Sequence, residues 1–158
     1  MVFQAFRLAA LQEAPTAFGS SFEEEKELPA SVIEGRLAVK ADRAAFGAFQ
    51  HEDLAGFVAL GRESMRNCAH KAFVWGMYVK REHRGKGVAK ALLHEALALA
   101  RTVPDVLQVN LSVNAGNVRA IRLYESFGFR SFGCEPGAMR INGELHDELH
   151  MFLRLNKA

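Results

Sequence analysis

Apolar and polar positions change period several times along the chain. Phe3 to Glu13 carries Phe6, Leu8, Ala9 and Leu11 at helix-like spacing, and the pattern stops before Pro15, whose ring disfavours a helical residue ahead of it. Ser20 or Ser21 stands before Glu23-Glu24-Glu25, which predicts a second helix start with acid in its first turn. Ala44 to Gln50 and Leu54 to Gly61 read as strands around the polar turn His51-Glu52-Asp53. Phe73 to Val79 is β-rich and mostly apolar. Val88, Ala91, Leu92, Glu95, Ala96 and Leu99 then return to helical spacing and predict a helix from Gly87 to Arg101. Val106 to Val113 alternates as a half-buried strand does, and Val118 to Phe127 reads as another helix. Its Ala120, Leu123 and Phe127 share one face, and Gly128 is placed to stop it in a left-handed conformation. Strands follow near Phe129 to Cys134 and Glu144 to Leu155. With no repeat, low-complexity tract or linker, this mixed order predicts a single α/β domain over residues 1–158.

Composition narrows the function classes. A chain of 158 residues with 49% hydrophobic content buries a sizeable core without disulfides or metals. The formal charge is only +2, and the basic residues gather between Lys80 and Lys90, which argues against a nucleic-acid partner. Cys68 and Cys134 have neither metal-ligand spacing nor a redox CxxC pattern, as expected of reduced thiols in the cytoplasm. The chain has no apolar stretch long enough to span a bilayer and no signal-peptide pattern at its start. The expectation is a cytoplasmic protein with no membrane partner and no metal.

The chemistry concentrates in Arg84-Gly85-Lys86-Gly87-Val88-Ala89, which joins the apolar strand to the amphipathic helix. Gly85 and Gly87 let the backbone pass close to an anion. The N–H groups opening the following helix are unpaired, the helix dipole adds partial positive charge, and Arg84 and Lys86 add full charges. The turn therefore reads as a pyrophosphate cradle. It is neither a Walker loop, since no Gly-Lys-Ser or Gly-Lys-Thr follows, nor a dinucleotide fingerprint, which needs a third glycine and a downstream acid. Gly76, inside the preceding strand, marks a bulge or a close backbone approach.

Arg84, Gly87 and Ala89 match the signature of the GCN5-related N-acetyltransferase (GNAT) superfamily: Arg or Gln, two residues, Gly, one residue, then Gly or Ala. A second segment, Asn117 to Phe129, resembles that superfamily's Asn-x-x-Ala-x-x-Leu-Tyr run closed by Gly-Phe. The resemblance covers nearly the whole chain. It implies a mixed central sheet, splayed between two parallel strands and flanked by helices, with acetyl-CoA in the gap as acetyl donor. Superfamily members usually open with a short strand before the first helix. Here the pattern begins almost directly in the helix, so either the start lies downstream of the true one or the sheet lacks that edge strand.

The resemblance also implies a mechanism. A primary amine of a small molecule, peptide or protein attacks the thioester in a ternary complex, with a tetrahedral oxyanion and then a thiolate leaving group. A backbone N–H among Met77, Tyr78 and Val79 serves the thioester. The amides from Arg84 through Gly85, Lys86, Gly87 and Val88 to Ala89 hold phosphate oxygens, with Arg81 and Lys86 as outer electrostatic contacts. Asn117 contacts the cofactor and caps its helix. Tyr124, near the sulfur, is the general acid; the other reading is a packed phenol that hydrogen-bonds the thiol without giving a proton. Phe73 to Val79 contains no acid, so a water-mediated base is expected.

Phe22, Glu23 and Glu24, with Glu25, form the acceptor-side candidate together with Trp75. The acids either bind a cationic amine or relay its proton, or they merely enrich a helix start in acid. His146, Asp147 and His150 near the last strand are secondary candidates for the same role, because alternation along a strand puts several of them on a solvated face. Arg119 and Arg122 read as a solvated helix face. A non-catalytic module that binds acyl-CoA and senses its state is the alternative to an enzyme, and a homodimer is compatible with either.

Overall fold

The computed structural model describes residues 2–157. Six strands form one sheet: β1 (Ala44–Gln50), β2 (Asp53–Arg62), β3 (Lys71–Val79), β4 (Gln108–Asn114), β5 (Arg130–Ile141) and β6 (Glu144–Arg154). Their spatial order is β1-β2-β3-β4-β6-β5. The helices are α1 (Val2–Glu13), α2 (Phe22–Glu25), α3 (Ala30–Leu37), α4 (Val88–Thr102) and α5 (Val118–Ser126).

β2 is buried without a break from Leu54 to Gly61, as a strand covered on both faces must be. Phe57 and Ala59 join the cluster of Phe3, Phe6 and Leu11 from α1, while Val58 and Leu60 join that of Leu93 and Leu97 from α4. The period of two along β2 thus sorts its side chains between two helical layers. On α4, Leu92, Leu93, Ala96, Leu97 and Ala100 are the buried positions, a stripe at helical spacing. Truncating Leu93, fully buried, to alanine would cost about 2–5 kcal/mol.

β3 and β4 are the parallel neighbours, and they pair only at Lys71–Gln108, Ala72–Val109 and Phe73–Asn110. Beyond those pairs the two strands separate, which is the splay the family resemblance implied. Against β2, β3 carries one extra residue between the pairs Phe57–Tyr78 and Ala59–Trp75. The bulge sits at Gly76, whose φ of 70° is a left-handed value that favours glycine.

Three features depart from the sequence reading. Helix α3 lies where no element was expected, because Ile33 is its one buried residue and a single buried position leaves no period to read. β5 continues past Cys134 through Pro136 and Gly137 to Ile141, its register breaking between Glu135 and Met139. Such a bulge is where a strand tolerates proline. The β5–β6 hairpin then closes on Asn142 and Gly143, with φ of 50° and 85°. An Asn-Gly pair between apolar runs is a strong hairpin signal that could have located this turn.

Candidate active site

The glycine-rich turn has the expected conformation. Gly85 and Gly87 adopt φ of 74° and 79°, and Gly87 caps α4 without any side chain. The first bond into α4 runs from the Ala91 N–H to the Gly87 carbonyl at 3.0 Å, so the N–H groups of Val88, Ala89 and Lys90 have no partner within the helix. Nothing lies within 4 Å of where a Cβ on Gly87 would stand. The glycine is required by its dihedral, and the space beside it is open.

That space belongs to a cavity of about 700 Å³. Its walls are Met77 to Val79 at the end of β3, Arg84, Gly85 and Gly87 to Ala89 of the turn, and Asn117 with Ala120 and Leu123 of α5. Lys86 stays outside the lining. Asn117 caps α5 through Oδ1, which accepts from the Ala120 N–H at 3.2 Å. Arg84 is a structural tie: its Nε donates to the Val79 carbonyl at 2.9 Å and its Nη2 to Glu13 Oε1 at 3.0 Å. The Tyr78 hydroxyl donates to the same Glu13. That bond, then the charges of Arg84 and Arg81, lower the Glu13 carboxyl against the opposing effect of burial. Burial, with the bond to Glu13, pushes the Tyr78 phenol up to about 12.

Other side chains of this cavity were not assigned to it from the sequence. Asn114 Oδ1 accepts from the Gly116 N–H at 2.8 Å, and its Nδ2 is buried with no hydrogen-bond partner among the described residues. Arg119, expected on a solvated face, lines the cavity with its Nη2 3.9 Å from where a Cβ on Gly85 would stand. His146 lines it as well. Open helix amides, an orphaned amide donor and a guanidinium together suit the phosphate and amide oxygens of acetyl-CoA.

A second cavity of about 380 Å³ opens from the same splay. Arg7, Trp75 and Gly76 form one wall, Ser112, Glu148 and His150 another, and Glu63 and Phe132 lie at its margins. The two cavities share Ala17, and successive residues of β3 turn from one to the other at the bulge. Arg7 is buried, with Nε and Nη2 bonded to the Glu25 carboxylate at 3.0 and 2.7 Å. Burial alone pushes the Glu25 carboxyl up, but hydrogen bonds from Arg7 and Ser20 and the charges of Arg7 and Arg36 bring it down to about 2.

The remaining candidates lie elsewhere. Glu24 closes a capping box with Ser21, whose backbone and hydroxyl lower its carboxyl; Glu23 is exposed; and Phe22 packs against the α1 cluster. None of these three lines either cavity, because the single turn of α2 points Glu25 inward and its neighbours out. Tyr124 belongs to the core, 5% exposed and 5.9 Å from the Phe129 ring centroid, and does not line the larger cavity. Burial pushes its phenol up to about 12.

Residues 8–129 match the Acetyltransferase (GNAT) family. A spermidine N(1)-acetyltransferase of Vibrio cholerae is 31% identical over 91 residues, 58% of this chain and 53% of that protein. A streptothricin acetyltransferase of Escherichia coli is 30% identical over 115 residues, 70% of this chain and 61% of the other. The chain thus spans between about half and two thirds of the length of these relatives. Among solved structures, YncA of Salmonella typhimurium with acetyl-CoA superposes with a TM-score of 0.76 at 19% identity, covering 99% of this chain and 88% of that one. Among the described residues no helix is long and apolar enough to cross a membrane.

Proposed function

The chain belongs to the GNAT acetyltransferase family, and we propose that it transfers the acetyl group of acetyl-CoA to a primary amine that is cationic before it reacts. The observation that carries this reading is the pair of cavities meeting at the β3 bulge. One is lined by open amides and Arg119, the other by the carboxylates Glu63 and Glu148. An anionic donor and a cationic acceptor find opposite charge on opposite sides of one strand. A non-catalytic sensor of acyl-CoA has no use for the second, acidic cavity.

In this reading the amides of Val88, Ala89 and Lys90 and the Nδ2 of Asn114 hold acetyl-CoA, which supplies the activated acetyl thioester. The bulge at Gly76 aims a backbone N–H among Met77, Tyr78 and Val79 toward the place where carbonyl charge develops. Tyr124 is assigned to the departing sulfur on the family motif, and since its phenol lies behind the lining of the larger cavity, the role requires that wall to open when acetyl-CoA binds. Burial raises its phenol, and the two roles set out above are a proton given to the sulfur and a hydrogen bond without transfer. The match to a spermidine N(1)-acetyltransferase supports a polyamine-like acceptor.

The test is release of CoA thiol from acetyl-CoA across polyamines, aminoglycosides, amino acids and peptides, with products confirmed by mass. Acceptor-dependent release is expected, and Tyr124→Phe should lower turnover while leaving acetyl-CoA affinity within about twofold. Tight acetyl-CoA binding with no release for any amine would sink the enzyme reading in favour of the sensing module.

A further inference from the structure

We infer that His150 is the proton acceptor for the incoming amine, working through Ser112 and held in its basic tautomer by Glu135. This rests on the acetyl-transfer reading and supplies the base that β3, without an acid, does not provide. Ser112 on β4 and His150 on β6 are register partners, so their side chains share the sheet face that lines the acceptor cavity with Gly76. Ser112 Oγ lies 2.8 Å from His150 Nδ1, and His150 Nε2 lies 3.2 Å from Glu135 Oε2. A carboxylate only accepts, so the Nε2 facing Glu135 carries the hydrogen. Nδ1 is then left with its lone pair, which accepts the Ser112 O–H.

The proton path follows from that polarity. An acceptor ammonium donates to Ser112 Oγ, breaking an N–H bond and forming an O–H bond. The hydrogen already on Oγ passes to His150 Nδ1, so serine ends unchanged and the imidazole becomes an imidazolium facing Glu135. The amine is left neutral with a free lone pair on the acceptor side of the β3 bulge. Carboxylates gather around His150. Ligand atoms of Glu135, Glu148 and His150 lie within 4.8 Å of one another, and Glu63 lines the same cavity. Arg7, the cation across it, is paired with Glu25, a carboxylate it shares with Arg36. Negative charge there draws in the ammonium.

Two measurements decide it. Long-range proton–nitrogen NMR of the acetyl-CoA-free protein should show His150 protonated on Nε2 only, and E135Q should shift it toward the Nδ1–H form. In turnover, H150Q should lose roughly a hundredfold in kcat and the acid limb of the kcat/KM pH profile, with acetyl-CoA affinity within about twofold of the parent. S112A should lose less, because a water can replace the hydroxyl. A parent protonated on Nδ1, or an H150Q variant that keeps the parent's rate and profile, overturns the relay. A parent that releases no CoA with any amine overturns the acetyl-transfer reading on which the relay depends.

Discussion

The two cavities are built from different materials. The larger is a backbone device: glycine dihedrals, a bulge and the first turn of α4 present N–H groups whose positions depend little on which side chains surround them. The smaller is a side-chain device, gathering Arg7 from α1, Ser112 from β4 and Glu148 and His150 from β6. A backbone cradle suits a cofactor common to a whole family, and a side-chain cavity suits an acceptor that differs between its members. Substitutions should therefore separate the two cavities cleanly.

The largest separation is expected at Glu25. E25A strands the buried Arg7 guanidinium, and breaking such a pair costs about 3–5 kcal/mol, roughly 6–20 °C in Tm for a chain of this size. Acetyl-CoA affinity should stay within about twofold by calorimetry; a large loss there would erase the division. The same carboxylate gives a pH signature. Its folded pKa of about 2 lies below the ordinary 4.5, so its stabilisation is full above pH 4.5 and is lost as the pH falls toward 2. Thermal melts between those limits should show a steeper acid loss for the parent than for E25Q.

G87E should behave in the opposite sense. A left-handed φ disfavours the new residue by about 1–2 kcal/mol, and its carboxylate enters an anion site, so acetyl-CoA affinity should fall roughly a hundredfold with only a few degrees' change in Tm. Retained affinity would mean that the amides of this turn do not hold the cofactor. N117A is the smallest test, because it removes an α5 cap worth about 1 kcal/mol. If it weakens acetyl-CoA more than G87E does, the larger cavity depends on side chains after all.

The same contrast explains what could be read in advance. The glycine-rich turn occupies consecutive residues from Arg84 to Ala89 and carries its own punctuation in Gly85 and Gly87, so its conformation was legible in the sequence. Asn117 and Gly128 were legible for the same reason, each being the local signal of a helix end, and both hold those positions. The smaller cavity has no such contiguity. Its members lie as far apart as Arg7 and His150, brought together by the β4–β6 register and by a salt bridge that spans α1 and α2. The run Glu23-Glu24-Glu25 drew attention by its charge, yet the single turn of α2 sends only the third acid inward, and it serves Arg7 there. Tyr124 matched its motif and lies in the core.

The short β3–β4 ladder has a kinetic consequence. Each strand is paired on its outer side, β3 with β2 and β4 with β6, but past Phe73 and Asn110 neither has a partner across the gap. Alternate amides of a strand point to opposite neighbours, so those facing the gap lack a ladder bond although they sit at the middle of the sheet. In hydrogen exchange the interior of this protein will not be uniformly slow. A line of fast-exchanging amides should run through its centre and fall silent when a ligand fills the gap.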